Sequence, residues 1–344
     1  MKKHIASILF LFLLSTFQLI AQSHSVKRLG IEQGLSNNYV VSITQDKQGF
    51  LWFATEEGLN KFDGTRFTTY YKNDLTQDNQ GITGNELNRV YADTKHPIIW
   101  IATQRDGLNA YNYNEQTFTA YQHNPENPHS LITNDVTDIA PSTQHDDGLW
   151  ISTYYRGIEY LDITSGQFTH YNKSTVPSLP CDQTWTVLDG GDGNLYIGHV
   201  GSGFSIFSPK DKSVKNFRNE AGNPMSLPGN DVFCIIKDAN GNIWLGTNNG
   251  LALYDAANEN FITFKNNKND KYATLCSRIL SIRQLKDNRL WIASELNGIA
   301  ILNLKQSMFL SPEEISLEYI QEGADNRSLS NASARCIFQD SFDN

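Results

Sequence analysis

The eight residues Trp52-Phe53-Ala54-Thr55-Glu56-Glu57-Gly58-Leu59 form a pattern that returns along the whole chain. Variants of it begin at five further aromatic anchors: Trp100, Trp150, Tyr196, Trp244 and Trp291. The steps between successive anchors are 48, 50, 46, 48 and 47 residues. A period in the forties, with four β-patterned runs in each unit, is typical of the blades of a β-propeller.

Each unit divides into four strand-like runs. In the first unit an apolar run is closed by the turn residues Asp46 and Gly49, and the next run carries Trp52. A glycine before each third run predicts a tight turn with a backbone angle that other residues avoid. We therefore predict an all-β fold, a propeller of four-stranded blades. Its tryptophans are expected to be largely buried between blades: Trp52, Trp100, Trp150, Trp244 and Trp291.

The two ends of the chain match parts of one further blade. Residues 26–29 match a fourth strand, residues 334–340 match a first strand, and no residues match the two strands between them. This predicts six complete blades, at about Tyr39 to Ile320, plus a split seventh blade of a seven-bladed parent that is truncated here. Successive blades should then be rotated by about 51°, and the unpaired strand edges of the seventh sector should be prone to association.

The first 21 residues have the features of a signal peptide. Lys2 and Lys3 precede an apolar run that ends at Ile20, and Ala21 offers a small residue for cleavage. An N-terminal membrane anchor stays open as the alternative, although the run is short for a span. We expect residues 1–21 to be removed and residues 22–344 to form one exported, periplasmic propeller.

The net charge and the motif content of the sequence limit the classes of function that fit this chain. Without Lys2 and Lys3 the chain has 26 basic and 37 acidic residues, a net charge of −11, which argues against nucleic acid as a partner. The sequence has no Ser-His-Asp set, phosphate loop or metal-ligand spacing, so neither catalysis nor a cofactor is predicted. The four cysteines have no paired spacing and are expected to be buried thiols.

The turns between the second and third strands vary while the frame around them repeats. Such turns share a face with the loops that join successive blades, and binding residues gather on loops held by rigid strands. Aromatic rings suit the C–H faces of sugars, and a guanidinium suits hydroxyl or carboxylate pairs. Packing against a neighbouring propeller or loop stays open as the alternative. The candidate ligand-binding residues are Tyr154, Tyr155, Arg156, Arg105, Gln104, Asn248, Asn249, His199, Glu56 and Glu57.

The unit Asn-x-Val-x-x-Ile-x-x-Asp-x-x-Gly-x-Leu-Trp-x-x-Thr-x-x-Gly-Leu-x-x-Phe-Asp resembles the two-component regulator propeller repeat. The stretch from Glu32 to Phe67 is similar to the opening of the sensor region in Bacteroidetes hybrid two-component systems. The similarity extends from about Ser25 to Asn344. It is looser in the fourth and sixth blades, where Tyr196 replaces Trp, and His199 and Ser294 replace Thr.

This resemblance implies the periplasmic sensor half of a hybrid histidine kinase, anchored in the inner membrane and signalling by phosphorelay. Its expected ligand is an oligosaccharide released from polysaccharide. Its expected partners are a second propeller and the downstream domains of the parent, with a homodimer possible. No kinase residue of that family matches a residue of this chain. A stand-alone extracellular binding module and a secreted polysaccharide lyase or hydrolase stay open as alternatives.

Overall fold

The structure is a computed structural model that describes residues 27–73, 81–264, 273–304, 317–325 and 328–344. The predicted signal peptide lies outside these residues. The described part forms six antiparallel sheets, each of four strands hydrogen-bonded in chain order. The predicted all-β propeller with six complete blades is therefore confirmed. The described loops contain two 3-10 helices, at Ile31–Gln33 and Thr274–Cys276.

The strands of the first three blades are β1 (Val40–Gln45), β2 (Leu51–Thr55), β3 (Gly58–Phe62), β4 (Phe67–Tyr70), β5 (Leu87–Ala92), β6 (Ile98–Thr103), β7 (Leu108–Asn112), β8 (Thr117–Tyr121), β9 (Val136–Pro141), β10 (Gly148–Thr153), β11 (Gly157–Asp162) and β12 (Gln167–Tyr171). The strands of the last three blades are β13 (Thr184–Asp189), β14 (Leu195–His199), β15 (Phe204–Phe207), β16 (Val214–Phe217), β17 (Val232–Lys237), β18 (Ile243–Thr247), β19 (Gly250–Asp255), β20 (Asn260–Thr263), β21 (Ile279–Gln284), β22 (Arg289–Ser294), β23 (Ile299–Asn303) and β24 (Leu317–Ile320).

The first strand of each blade is the innermost one. These strands pack side by side around the centre of the ring in the order β1, β5, β9, β13, β17 and β21. A β-bulge interrupts the pairing of every first strand with its second strand, one residue after the first strand begins. A bulge redirects the side chain of the extra residue. That side chain therefore does not follow the alternation of its neighbours between the two faces of the strand.

The hydrophobic cores lie between blades rather than within them. Trp52 packs with Ile99, Tyr111 and Phe118 of the next blade, and the other clusters of buried residues also join neighbouring blades. The Asp of the preceding turn accepts a hydrogen bond from the indole Nε1 of Trp52 at 2.8 Å, and the same pair recurs at Trp100 and Trp244. The anchors therefore fix each blade against the next one.

Trp291 departs from the prediction that all the tryptophans are largely buried. Trp52, Trp100, Trp150 and Trp244 are buried, whereas Trp291 is only partly buried. Leu285 stands where blades one, two and five carry the Asp, and the indole Nε1 of Trp291 has no hydrogen-bond partner among the described residues. Trp291 also faces the seventh sector, where no described strand covers it as a following blade covers the other anchors.

Residues 334–341 occupy the innermost place of a seventh position. The backbone N–H of Ile337 donates to Ser281 Oγ in β21 at 3.3 Å, and that of Ser341 donates to Gln45 Oε1 in β1 at 2.8 Å. The Gly298 N–H donates to Ala332 O, just as Gly157 donates to Asp182 O at the start of blade four. The segment therefore lies between the sixth and first blades. The glycine of blade six is hydrogen-bonded to it in the same way as the glycine of blade three is to the start of blade four.

The prediction is wrong about the secondary structure of this position, because neither of its two segments is a strand. Residues 331–340 and 27–30 have no regular secondary structure, because no described strand pairs with either segment. A cavity of about 990 Å³ lies beside them, lined among others by Ile31, Ile43, Glu56 and Arg335. The rotation of about 51° between blades stays a prediction.

Candidate functional site

One face of the propeller, here called the loop face, carries the variable turns of all six blades. In every blade, the first residue of the turn between the second and third strands donates its N–H to the carbonyl of the residue just before the first strand. The six pairs are Glu56 with Tyr39, Gln104 with Glu86, Tyr154 with Asp135, Val200 with Gln183, Asn248 with Asp231 and Glu295 with Arg278. The structure thus places these turns and the loops between blades on one face, as predicted.

Four aromatic side chains form a continuous group, here called the aromatic row, on this face. The Tyr154 ring lies 4.3 Å from the Tyr155 ring and 6.1 Å from the Trp185 ring, centroid to centroid. Trp185 in turn lies 5.9 Å from Phe233. All three contacts are edge-to-face, the arrangement that aromatic quadrupoles favour. Tyr155 is 53% exposed and the other three are partly exposed, so the row offers apolar ring surface to a ligand.

The bulges explain why Trp185 and Phe233 belong to the row. Both are the extra residue of the bulge, in β13 and in β17 respectively. The residues just before them, Thr184 and Val232, are buried. The bulge therefore keeps these two large rings out of the cores between blades and leaves them near the loop end of the innermost strands, at the mouth of the central channel.

Charged groups border the row on both sides. Arg278 places its guanidinium carbon 4.3 Å from the centroid of Phe233, a cation–π contact, and its Nη1 lies 3.3 Å from Glu295 Oε2. On the other side burial raises the pKa of Asp135, and the nearby Arg105 opposes that shift. Burial also raises the pKa of Tyr154, helped by Tyr155, Asp231 and Asp135. Rings flanked by carboxylates and guanidiniums can stack on a sugar and hydrogen-bond its hydroxyls.

The structure brings some of the predicted residues together and separates others. Tyr154 and Tyr155 lie in the row, Arg105 lies near Asp135, and Arg156 and Gln104 are exposed on the same face. Asn248 accepts a hydrogen bond from Asp231 N, and Asn249 donates to Pro228 O, so both amides hold a loop. Glu56 and Glu57 are exposed in blade one, where Glu56 lines the seventh-sector cavity.

His199, a candidate ligand-binding residue of a variable turn, lies inside the protein instead. His199 is the last residue of β14 and is fully buried, with its Nε2 2.8 Å from Ser205 Oγ and its Nδ1 3.5 Å from Cys181 Sγ. Burial lowers the pKa of His199 to about 4, so the ring is neutral at ordinary pH. It replaces the Thr that closes the turn in other blades and cannot touch a ligand on the surface.

Trp185, Phe233 and Arg278 were missed by the sequence reasoning. They lie in or just before first strands, which the repeat marks as framework, rather than in the variable turns. A signal was present, since the equivalent residues of the other blades are Val41, Asn88, Thr137 and Leu280. A large aromatic at a position where no other blade has an aromatic side chain indicates a local role.

Other kinds of site find less support in the described residues. Within them no group of three His, Cys, Asp or Glu residues is arranged to hold a metal ion. The four cysteines are free thiols. Among the helices of the described ranges, none is both long and apolar enough to span a membrane.

Comparison with known proteins gives two matches at the level of sequence. The two-component regulator propeller family matches residues 34–57 and 226–249. The histidine kinase P4 of Formosa agariphila is 42% identical over 66 residues, which are 19% of this chain and 5% of that protein. The chain therefore spans a small part of that curated relative.

Solved structures give a longer match. The extracellular domain assigned to the hybrid two-component system BT3049 of B. thetaiotaomicron is 63% identical, with a TM-score of 0.82. The match covers 93% of this chain and 40% of that one. The extracellular domain of BT4673 from the same organism has the same fold, with 20% identity and a TM-score of 0.68, and this chain covers 41% of it. The chain is thus homologous to part of such an extracellular domain.

Proposed function

We propose that this chain, which carries the two-component regulator propeller, is the ligand-recognition propeller of a periplasmic sensor and binds oligosaccharides on its loop face. The observation that carries the proposal is the aromatic row, which joins turns and first strands of blades three, four and five into one partly exposed surface. Ring faces of this kind contribute large contact areas at low entropic cost. The flanking Arg105, Asp135, Asp231 and Arg278 supply hydrogen-bonding groups for hydroxyls.

The wider setting of the propeller is part of the same proposal. Residues 1–21 act as a signal peptide, and residues 22–344 are the first propeller of an exported protein. The parent is anchored in the inner membrane and passes the signal to a histidine kinase and response regulator. A second propeller and the downstream domains are the partners of this chain. The support is the homology to extracellular domains of two-component systems, of which this chain covers about 40%.

A calorimetric screen of the purified chain against neutral and acidic oligosaccharides tests the proposal. We expect saturable binding of at least one oligosaccharide class, with an affinity that falls when Tyr154 is replaced by Ala. Tyr71→Ala is the matched control, because Tyr71 is 49% exposed and lies outside the row. Equal losses for both variants, or none for either, would remove the row from the binding site.

The same samples separate binding from catalysis. Incubation with each polysaccharide, followed by chromatography of the products, should show no release of shorter chains. Product release by the wild-type chain would favour the lyase or hydrolase alternative instead.

A further inference from the structure

A cavity of about 500 Å³, here called the rim cavity, lies between the outermost strands of blades four and five. Asn216 in β16 and Phe261 in β20 line its two sides, and the linker from Arg218 to Ser226 passes along it. Its volume falls in the range of about 300–1,000 Å³ that is usual for small-molecule sites. The rim cavity shares no lining residue with the aromatic row.

The linker along the rim cavity has the same hydrogen-bonded frame as the linker between blades two and three. In both, backbone N–H groups donate to asparagine and serine side chains of the linker, and the outermost strand of the next blade donates to a linker carbonyl. The pairs along the rim cavity are Asn219 N with Asn230 Oδ1, Glu220 N with Ser226 Oγ, Met225 N with Asn223 Oδ1 and Phe261 N with Met225 O. The pairs in the other linker are His123 N with Asn134 Oδ1, Asn124 N with Ser130 Oγ, His129 N with Asn127 Oδ1 and Phe168 N with His129 O.

The two linkers differ in side chains that these bonds do not use. The differing pairs are Arg218 and Gln122, Glu220 and Asn124, and Met225 and His129. Because both linkers keep the same frame, the fold does not require an arginine, a glutamate and a methionine at these places. The side chains along the rim cavity are therefore available for another role.

The two charged side chains retain hydrogen-bonding capacity for a ligand. Arg218 donates through Nη2 to Gly201 O at 2.8 Å, and a guanidinium has several further N–H donors. Glu220 Oε2 accepts from Asn223 Nδ2 at 2.8 Å, while no described residue donates to its Oε1. The linker thus brings donors and an acceptor to the same cavity.

Asn260 adds an acceptor that lacks a donor. Its Oδ1 is buried and has no hydrogen-bond partner among the described residues, which is a costly state for a buried polar atom. Met225 Sδ lies 3.9 Å from the Nδ2 of the same amide, and the Met225 side chain is 50% exposed. Methionine is unbranched and flexible, so Met225 can move aside and admit a hydroxyl that donates to Oδ1.

The charges along the rim cavity indicate a neutral ligand. Its lining includes one guanidinium, Arg218, and two carboxylates, Glu220 and Glu259. Lys215 forms an ion pair with Glu259, so the four charges balance. An anion would meet two carboxylates here. Hydroxyl groups, in contrast, can donate to a carboxylate and accept from a guanidinium at the same time.

We propose that the rim cavity is a second ligand site, which takes one neutral ring rich in hydroxyls, such as a sugar residue. Arg218 and Glu220 hydrogen-bond the hydroxyls, and the thioether of Met225 packs against the C–H face of the ring. The inference does not depend on ligand binding at the loop face, because the two sites have no residue in common.

Nuclear magnetic resonance of the chain labelled with ¹³C in its methionine methyl groups tests the proposal, because Met225 reports directly on the rim cavity. The other methionines are Met1 and Met308, and a Met225→Leu variant assigns the resonance. The probes are the methyl glycosides of glucose, galactose, mannose and xylose. We expect a saturable shift of the Met225 resonance with at least one of them. No saturable shift with any of the four would overturn the proposal.

The double variant Arg218→Gln/Glu220→Asn gives the rim cavity the side chains of the other linker, in which the same frame folds. It should weaken binding of the same glycoside about tenfold or more, since charge-assisted hydrogen bonds are lost. Arg66→Gln is the control and should keep the wild-type affinity, because its arginine is exposed on a turn of blade one. Equal affinities of the double variant and the control would contradict the proposal. If the double variant fails to fold, Glu220→Gln alone is compared with the control in the same way.

Two further titrations test the chemistry and the independence of the site. The methyl glycoside of glucuronate should bind more weakly than that of glucose, because its carboxylate would meet Glu220 and Glu259. Equal or tighter binding of the glucuronate would overturn the assignment of a neutral ligand. Trp185→Ala should leave the Met225 titration unchanged, so a failure of the loop-face proposal can be distinguished from a failure of this one.

Discussion

The anchor tryptophans show how one residue type gains different roles in equivalent places. Trp52 is fully buried between blades one and two and donates to Asp46, whereas Trp291 is partly exposed and its Nε1 has no described partner. The same indole therefore fills a core in one blade and borders an open sector in another.

Replacing Trp52 by Ala should lower the free energy of unfolding by about 3–5 kcal/mol, because it empties a packed core and leaves Asp46 without its donor. The same change at Trp291 should cost about 1–2 kcal/mol, since less apolar area is buried there. Urea unfolding followed by circular dichroism compares the two variants. An equal loss of unfolding free energy in the two variants would show that the open seventh sector is covered in solution.

The partly buried His170 forms a pair with the buried Glu159 that depends on protonation. The imidazole Nδ1 lies 2.9 Å from Glu159 Oε2 and the Nε2 lies 3.0 Å from Pro128 O, so both ring nitrogens face acceptors. Only the imidazolium can donate to both. The hydrogen bond to Glu159 raises the pKa of His170, and burial raises the pKa of Glu159.

The pair should make stability depend on pH in a defined direction. Because the pKa of His170 is raised on folding, its contribution is complete below its unfolded value of about 6.5 and is lost as the pH rises through the folded value. His170→Gln should therefore cost most below about pH 6.5, about 3 kcal/mol, and less as the pH rises toward about 9. Urea unfolding across this range measures the difference. His129→Gln, an exposed histidine in the preceding loop, is the control and should show no such trend.

At the residue scale the sequence predicted the framework better than the site. The anchors, the Asp turns and the glycines follow from spacing and backbone chemistry alone. The exposure of Trp185 and Phe233 does not, because it depends on a bulge in the pairing of two strands. The burial of His199 depends equally on its contact with Ser205, which lies on the next strand.

At the scale of the elements, the glycines at the start of the third strands lie very close to the end of the fourth strand of their own blade in five of the six blades. Gly203 has a φ of 79°, and a Cβ at this residue would lie 2.1 Å from Phe217 O. Its N–H donates to Asn230 O in the loop that leads to blade five. The glycine thus closes a turn within one blade and links it to the next.

Gly203→Ala should be much more destabilising than Gly222→Ala. Gly222 has nearly the same φ, 81°, but no atom lies within 4 Å of the added Cβ. Gly222→Ala should therefore cost about 1–2 kcal/mol from backbone strain alone, and Gly203→Ala about 1–3 kcal/mol more from the clash. The difference between the urea midpoints of the two variants measures the cost of the clash at residue 203. Similar midpoints would mean that β16 moves away without cost.

The six blades were predictable as elements because each repeats the same local signals. The seventh position was predictable only as a sequence match. Its two segments resemble strands, yet residues 334–341 make contacts with β21 and β1 without forming a ladder. Strand structure requires a partner, which the pattern of one segment does not provide.

For the whole molecule, the seventh sector and the loop face are the two surfaces that the regular blades leave unfilled. Phe53, Phe62 and Phe67 of blade one contact one another, at centroid distances from 4.6 to 6.5 Å. In blade two the equivalent positions are packed against Trp52 of the preceding blade. An aromatic anchor from a seventh blade would occupy the corresponding place on blade one.

The proposed function depends on the loop face, and the aromatic row is the central feature of that face. The most direct test is the affinity of Trp185→Ala for the oligosaccharide that the wild-type chain binds best, measured by titration calorimetry beside Tyr71→Ala. Loss of one stacking ring should weaken binding about tenfold or more, while the control keeps the wild-type affinity. Wild-type affinity in Trp185→Ala, with the fold intact by circular dichroism, would contradict recognition by the aromatic row.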